Sequence, residues 1–233
     1  MTTWREFWDK PHAIYVNDRH KDVHYRDIAE QIAAFVPGPE ARVLDHGSGD
    51  AIHAGIVAAA ARSLILCESA ASVRAALAAR FAAEPKIKVL APEEVERLGD
   101  RSLDLIVANS LVQYLKPDEL DSVLALWRRL LAPEGTLIVA DVIPPNVGPL
   151  SDVVALLRYA AAHGFLLAAF AGLTRTALSG YGRLRSALGI AHYGEAEFLA
   201  KLRAAGFTAQ RLARNLEHNP ARMTFRAQHA GTH

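Results

Sequence analysis

The chain has 233 residues, a length that suits one domain, or one domain carrying a sizeable insertion. With 51% apolar and 22% charged residues it can build a full core, which excludes extensive disorder. Lys+Arg 26 against Asp+Glu 25 leaves a net charge of +1, so no global field draws it to nucleic acid or anionic lipid, and its one cysteine, Cys67, cannot form an intramolecular disulfide.

Met1 leads into Thr2-Thr3-Trp4-Arg5 without the apolar core of a signal peptide, so a reducing, cytoplasmic location is expected. Residues 1–40 read as a helical cap. If the chain is helical from Arg19, then His20 and His24 share a face with Ile28 and Ile32 and bring it toward a ligand. From residue 41 the apolar period alternates between strand and helix. Strand Arg42 to His46 runs into a glycine turn and an Ala-rich helix from Ile52 to Arg62. Strand Ser63 to Cys67 precedes a helix from Ser69 to Phe81, with Val73, Leu77 and Phe81 on one face. Strand Lys86 to Leu90 is followed by a short acidic helix opened by Pro92. Strand Leu103 to Ala108 precedes a helix marked by Leu120, Leu124, Trp127, Leu130 and Leu131, stopped by Pro133-Glu134-Gly135. Strand Thr136 to Val142 ends at Pro144-Pro145. Residues 146–193 form a helical lid insertion. A helix from Glu195 to Ala205 then leads to strand Phe207 to Leu216, a turn at Glu217-His218-Asn219-Pro220, and a final strand from Arg222 to Gln228, in which Met223, Phe225 and Ala227 alternate with polar residues.

Short apolar strands separated by helices require parallel pairing with both faces covered. The expected fold is therefore α/β: a doubly wound, Rossmann-like, mostly parallel seven-stranded sheet with an antiparallel C-terminal hairpin and a helical cap. Residues 41–145 form the cofactor-binding core, and residues 194–233 complete it. The cap and the lid should both lie at the carboxyl edge of the strands, where open α/β sheets bind ligands. The apolar run from Tyr159 to Leu173 is flanked by Arg158 and Arg175 and broken by His163 and Gly164. It is too short for a spanning helix, which needs about 20 apolar residues. It reads as a buried or lid helix, with peripheral membrane contact, helped by Arg175, Arg183 and Arg185, as the alternative. Tyr159, His163, Phe165 and Phe170 are candidates for lining an apolar acceptor pocket, and His192-Tyr193 ends the lid.

The loop Asp45-His46-Gly47-Ser48-Gly49-Asp50-Ala51 sits between the first strand and the first core helix, where doubly wound folds bind nucleotides. Ile52 occupies the position of the third dinucleotide glycine, which counts against a bound pyrophosphate. Asp45 would repel phosphate but suits a cationic group such as a methionine amino end. Glu68, nineteen residues after Gly49, stands where a carboxylate accepts from ribose hydroxyls. This arrangement resembles the class I S-adenosylmethionine-dependent methyltransferases over roughly residues 41–145 and 194–233, through Val43 to Gly49, Glu68, Asp104 to Leu115, Leu131 to Leu137 and the final hairpin.

The resemblance implies S-adenosyl-L-methionine as cofactor. Asp45, His46, Gly47, Ser48 and Gly49 would hold its methionine part, Glu68 with Ser69 the ribose, Glu93 or its neighbours the adenine, and Asn109 with Ser110 the sugar and methionine side. Ala51 stands where many members have a further glycine, and Ala91-Pro92-Glu93 replaces a more usual Asp. The Asn-Pro-Pro-Tyr loop of many DNA and protein amide methyltransferases is replaced by Asn109-Ser110-Leu111-Val112. A small apolar or amphipathic acceptor is therefore expected, and nucleic acid is not. In the cap, Tyr15, Asn17, Arg19 and Tyr25 are candidate cofactor or acceptor contacts, with Tyr25 assigned to the cofactor. If the acceptor must lose a proton, His24 or His20 is the first candidate base and Tyr15 or Tyr25 the next. No metal is expected, because no third ligand follows the His20/His24 pair at a telling spacing. The alternatives are an NAD-type oxidoreductase, disfavoured by Ile52, Asp45 and the absence of a Tyr-x-x-x-Lys pair, and a non-catalytic cofactor-binding module.

Overall fold

The computed structural model describes residue 9, residues 15–178, with side chains to residue 174, and residues 189–231. Arg175, Arg183 and Arg185, invoked above for membrane contact, lie outside the described side chains. In chain order the elements are α1 (Asp18–Phe35), β1 (Arg42–His46), α2 (Ala54–Ala60), β2 (Ser63–Cys67), α3 (Ala71–Arg80), β3 (Ile87–Leu90), the short α4 (Pro92–Val95) and β4 (Leu103–Asn109). They continue with a single 3₁₀ turn (Val112–Tyr114), α5 (Pro117–Leu130), β5 (Leu131–Val142), α6 (Pro149–His163), α7 (Leu166–Leu178), α8 (Glu195–Ala204), β6 (Phe207–Arg211) and β7 (Met223–His229). The strands form one seven-stranded sheet in the order β3-β2-β1-β4-β5-β7-β6. β1 to β5 are parallel, and β7 runs antiparallel to both β5 and β6.

Local chemistry explains where the elements begin. Asn17 caps α1 by accepting from the His20 backbone N–H at 2.8 Å. Pro117 opens α5, and Glu119 reaches back to the Lys116 N–H at 2.8 Å. Asp118 and Glu119 in its first turn and Arg128 and Arg129 in its last complement the helix dipole. The inward face of α5 sets Leu120, Leu124, Trp127 and Leu130 in the core with Phe198 of α8 and Phe225 of β7. The opposite sheet face packs Ile28 and Ile32 of α1, Val57 of α2 and Leu77 of α3 over Leu64, Leu66 and Ile138. The sheet is thus covered on both sides, as the alternation requires.

The largest boundary differences from expectation lie at the α5–β5 junction and at the end of β6. α5 ends at Leu130, before Pro133, because Leu131 already pairs with Leu103; the register then shifts, and regular pairing resumes at Leu105 with Thr136. The strand expected over Phe207 to Leu216 stops at Arg211. Beyond it the Leu216 N–H donates to the Thr224 hydroxyl, and the Asn215 side chain bonds Asp141, so this segment folds back over the sheet edge.

α6 and α7 meet at Gly164, which takes the left-handed φ of +75° that closes a helix. Their small apolar cluster, Ala160, Phe165 and Ala169, packs against Val16 and Tyr159. A Cβ on Gly172 would come within 2.3 Å of Val16 Cγ1, so only glycine permits that approach. Arg19 donates to the His163 carbonyl at 2.6 Å and thereby ties the cap to the lid. Among the described residues no helix is long and apolar enough to cross a membrane.

Candidate active site

The carboxyl edge of β1, β2, β4 and β5 carries the polar residues singled out above. Three of the four positive-φ non-glycine residues, Ala51, Ser110 and Asp141, lie just beyond or at the ends of β1, β4 and β5. Backbone held in this costly region collects at functional edges.

In the β1–α2 loop, Gly47 and Gly49 adopt φ of +83° and +57°, and the Gly47 and Ser48 N–H groups donate to the Cys67 carbonyl at 2.8 and 3.1 Å. A Cβ on Gly49 would lie 2.8 Å from the Tyr25 hydroxyl, which accepts from the Asp50 N–H at 3.0 Å. Tyr25 therefore buttresses the glycine loop. Glu68 is 8% exposed and accepts from the Gly49 N–H at 3.0 Å and the Ala70 N–H at 2.8 Å, with the Ser69 hydroxyl at 3.4 Å. It joins the loops after β1 and β2. Asp45 lies beside it: burial, followed by the Glu68 charge, pushes the Asp45 carboxyl up to about 7. The Ser48 hydroxyl is buried without a hydrogen-bond partner, a group free to meet a ligand.

Other candidates have different occupations. The His46 ring accepts from Trp127 Nε1 at 3.0 Å, and burial lowers its pKa to about 4, so that side chain is committed to the core. Asn17 serves as a helix cap and Arg19 as a lid anchor. Glu93 is exposed on α4. Phe170 is 53% exposed and is not among the residues that line the cavity described below. Cys67 is fully buried, and its thiol is pushed up by that burial.

Asn109 and Ser110, at the end of β4, lead to groups that sequence reasoning missed. Asn109 Nδ2 donates to Glu217 Oε1 at 2.9 Å, and the Ser110 hydroxyl donates to Asp141 Oδ2 at 2.7 Å. Glu217, read above as part of a surface turn, is only 8% exposed in its side chain and sits 3.5 Å from the Nδ1 atoms of both His24 and His218. Burial acts to raise the Glu217 pKa, but His24, His218 and the Asn109 donor outweigh it and hold the carboxyl well below its usual range. Desolvation lowers the His24 pKa, and the Glu217 carboxylate acts against that shift. Asp141 moves the opposite way, raised by burial and by Glu217 although Arg222 pairs with it. A signal for this cluster did exist in the topology. In a terminal hairpin whose last strand is antiparallel to β5, the β6–β7 turn must fall at the carboxyl edge of the sheet.

His24, Glu217 and His218 open onto a cavity of about 280 Å³ between α1, α6 and the β6–β7 connection. Ile28 and Leu216 supply apolar wall, and Tyr159 stacks on His218 at 4.9 Å between ring centroids. Tyr159 donates to Asp27 at 2.6 Å. His20 and Tyr15 do not line this cavity. His20 stacks on Phe165 at 4.9 Å, and the Tyr15 phenol packs on Tyr25, with its pKa pushed up by burial.

Residues 44–139 match the family model described as a methyltransferase domain. Over those residues the chain matches a methyltransferase domain, and its seven-stranded sheet is the fold of the S-adenosylmethionine-dependent methyltransferases. Solved structures share its fold. A chain of the Haloferax volcanii complex between a methyltransferase activator and a putative methyltransferase superposes with a TM-score of 0.63 at 13% identity, covering 99% of this chain and 100% of that one. DhpI bound to S-adenosylhomocysteine gives 0.59 at 15% identity, covering 94% and 90%. Haemonchus contortus phosphoethanolamine N-methyltransferase 1, in complex with phosphoethanolamine and S-adenosylhomocysteine, gives 0.51 at 23% identity, covering 62% of this chain and 32% of that one. At these identities the likeness is one of fold. No curated protein sequence matches the chain. In this chain the glycine cradle, the unpartnered Ser48 hydroxyl and the Asp45/Glu68 carboxylates are a donor and acceptor set that fits S-adenosylmethionine.

Proposed function

We propose that the methyltransferase passes the methyl group of S-adenosylmethionine to a small, amphipathic acceptor bound in the cavity beneath the lid, with the acceptor's nucleophile turned toward His24, Glu217 and His218. The observation that carries this reading is that cavity: apolar on the Ile28 and Leu216 side and ending in two imidazoles and a carboxylate joined through Asn109 to the end of β4. The cofactor supplies an already activated methyl. The protein's tasks are therefore to align the acceptor, exclude water and receive a proton. His24 lines the cavity, so of the candidate bases it is the one to which we assign contact with the acceptor; His20 supports the cap and Tyr15 supports Tyr25. In this reading Asp45 and Ser48 hold the methionine end and Glu68 the ribose, while Ser69 positions Glu68. Glu93 is left for the adenine edge. A cytoplasmic location suits a chain with one buried thiol.

The test is calorimetric titration with S-adenosylhomocysteine, with NAD⁺ as control. Micromolar binding of the former alone is expected, and binding of NAD⁺ alone would overturn the reading. Glu68→Ala should weaken binding at least tenfold through loss of charged hydrogen bonds of about 1.5 to 3 kcal/mol. The pH dependence follows from Asp45. With its carboxyl raised to about 7, the free protein holds a proton there below neutrality, whereas a cationic amino group binds the ionised form. Affinity should therefore fall as pH drops through about 7, because the proton held on Asp45 must be released for binding. Titrations in buffers of different ionisation enthalpy should show proton release on binding in wild type and none in Asp45→Asn. Affinity that stays flat between pH 8 and pH 6 would remove Asp45 from the site.

A further inference from the structure

We infer that His24, Glu217 and His218 form a binding site for one divalent transition-metal ion of the zinc kind, with an open coordination position facing the cavity. The three residues come from α1 and the β6–β7 connection, and one ligand atom from each lies within 4.8 Å of the other two. Glu217 Oε2 stands 3.5 Å from both His24 Nδ1 and His218 Nδ1. That spacing is long for a firm hydrogen bond. It is close to the roughly 3.4 Å that separates neighbouring donors of a tetrahedral ion with metal–ligand bonds of about 2.1 Å.

Three further observations agree. His218 Nδ1 is buried and has no hydrogen-bond partner. The other oxygen of the carboxylate, Oε1, is held by Asn109 Nδ2 at 2.9 Å and faces the Ser110 hydroxyl at 3.4 Å, which fixes the orientation of Oε2 as outer-shell partners of metal ligands do. Charge is the third. Among the described residues the ion pairs of Glu217 are with His24 and His218 and with no lysine or arginine, whereas the neighbouring Asp141 has Arg222. A buried carboxylate calls for a compensating cation, and a bound ion supplies one. Two imidazoles and one carboxylate are a donor set for zinc and its first-row neighbours, and three protein ligands with a fourth position left open is the pattern of catalytic rather than structural sites.

Binding of the ion stands on this geometry alone; its role rests on the function proposed above. An acceptor hydroxyl or amine reaching the cluster would take the fourth position. With the ion held, His24 would serve as ligand in place of base: for a hydroxyl, the proton is lost to solvent, its oxygen forms the new bond to the methyl carbon, and the carbon–sulfur bond breaks to leave S-adenosylhomocysteine.

The experiment uses full-length, tag-free protein stripped with a chelator and titrated with Co²⁺. One equivalent should give the visible absorption of four- or five-coordinate cobalt, abolished by one equivalent of Zn²⁺. Glu217→Gln and His218→Ala should each weaken Zn²⁺ binding at least tenfold, while the exposed His192→Ala should leave it unchanged. S-adenosylhomocysteine affinity in the same variants reports separately on folding and on the cofactor reading. Absence of the cobalt band from protein that still binds S-adenosylhomocysteine would overturn the metal site and leave the methyltransferase reading intact. So would a band that survives both ligand substitutions, or one lost equally in His192→Ala.

Discussion

Glu217→Gln is expected to lower turnover by 100-fold or more while S-adenosylhomocysteine affinity stays within threefold of wild type. Glutamine keeps the shape of the side chain and can still accept from Asn109 Nδ2 through its amide oxygen, so the end of β4 should hold its place. What it removes is the negative charge that faces His24 and His218. Charge at that point matters only to a step in which a proton leaves the acceptor or a cation is held beside it, and such contributions are commonly about 10² to 10⁴ in rate. The comparison must be made at saturating cofactor, with both kcat and the KM for acceptor determined. A variant whose KM rises with kcat unchanged would mean that Glu217 only shapes the cavity. Full activity would remove the cluster from the chemistry. His24→Asn should behave like Glu217→Gln if the two act together, and the double variant should then lose little more than either single one.

The second large effect concerns stability. Arg222 is 14% exposed in its side chain and donates to Asp141 at 2.5 Å and to Asp152 at 2.8 Å. Asp141, 3% exposed in its side chain, also accepts from Ser110 and Asn215 and lies close enough to Glu217 for that charge to raise its pKa. Arg222→Met keeps the length of the side chain and deletes the cation. Two carboxylates then share the site without it, and breaking a buried pair in this way costs about 3 to 5 kcal/mol. For a chain of this size that corresponds to a fall in Tm of roughly 10 °C. Adding Asp141→Asn should restore part of the loss, because the remaining partner no longer carries a charge. Thermal unfolding of the two variants checks this; an Arg222→Met protein as stable as wild type would show that water reaches Asp141 and solvates it. Because Asp152 is on the lid helix α6, the same variant should also loosen the cap of the cavity, visible as faster hydrogen exchange over α6.

The sheet was legible in the sequence because each strand is announced locally: short runs such as Ser63 to Cys67 and Leu103 to Ala108 are apolar on both faces, and that pattern fits a parallel strand covered by helices on both sides. The glycine loop and Glu68 were legible for a related reason. Their places are set by the order of strand, turn and helix, and the structure joins them through the bond from Gly49 N–H to Glu68. The core bond of the His46 ring was not legible, because nothing near it in sequence announces Trp127, which meets it from α5. Phe170 was misread because an apolar helix in a lid has two faces, and periodicity does not say which is turned to solvent.

By itself, then, the sequence determined the α/β class, the parallel pairing of the core and the antiparallel final hairpin, since strand period and turn composition are short-range properties of the chain. Only the tertiary structure decided the cluster at the cavity. His24 is an isolated histidine on α1, and Glu217-His218 has the composition of an ordinary turn. They become a cluster because the antiparallel return of β7 along β5 lifts the β6–β7 turn to the ligand edge, where α1 already lies. That meeting depends on contacts between segments far apart in the chain, and no local spacing encodes it.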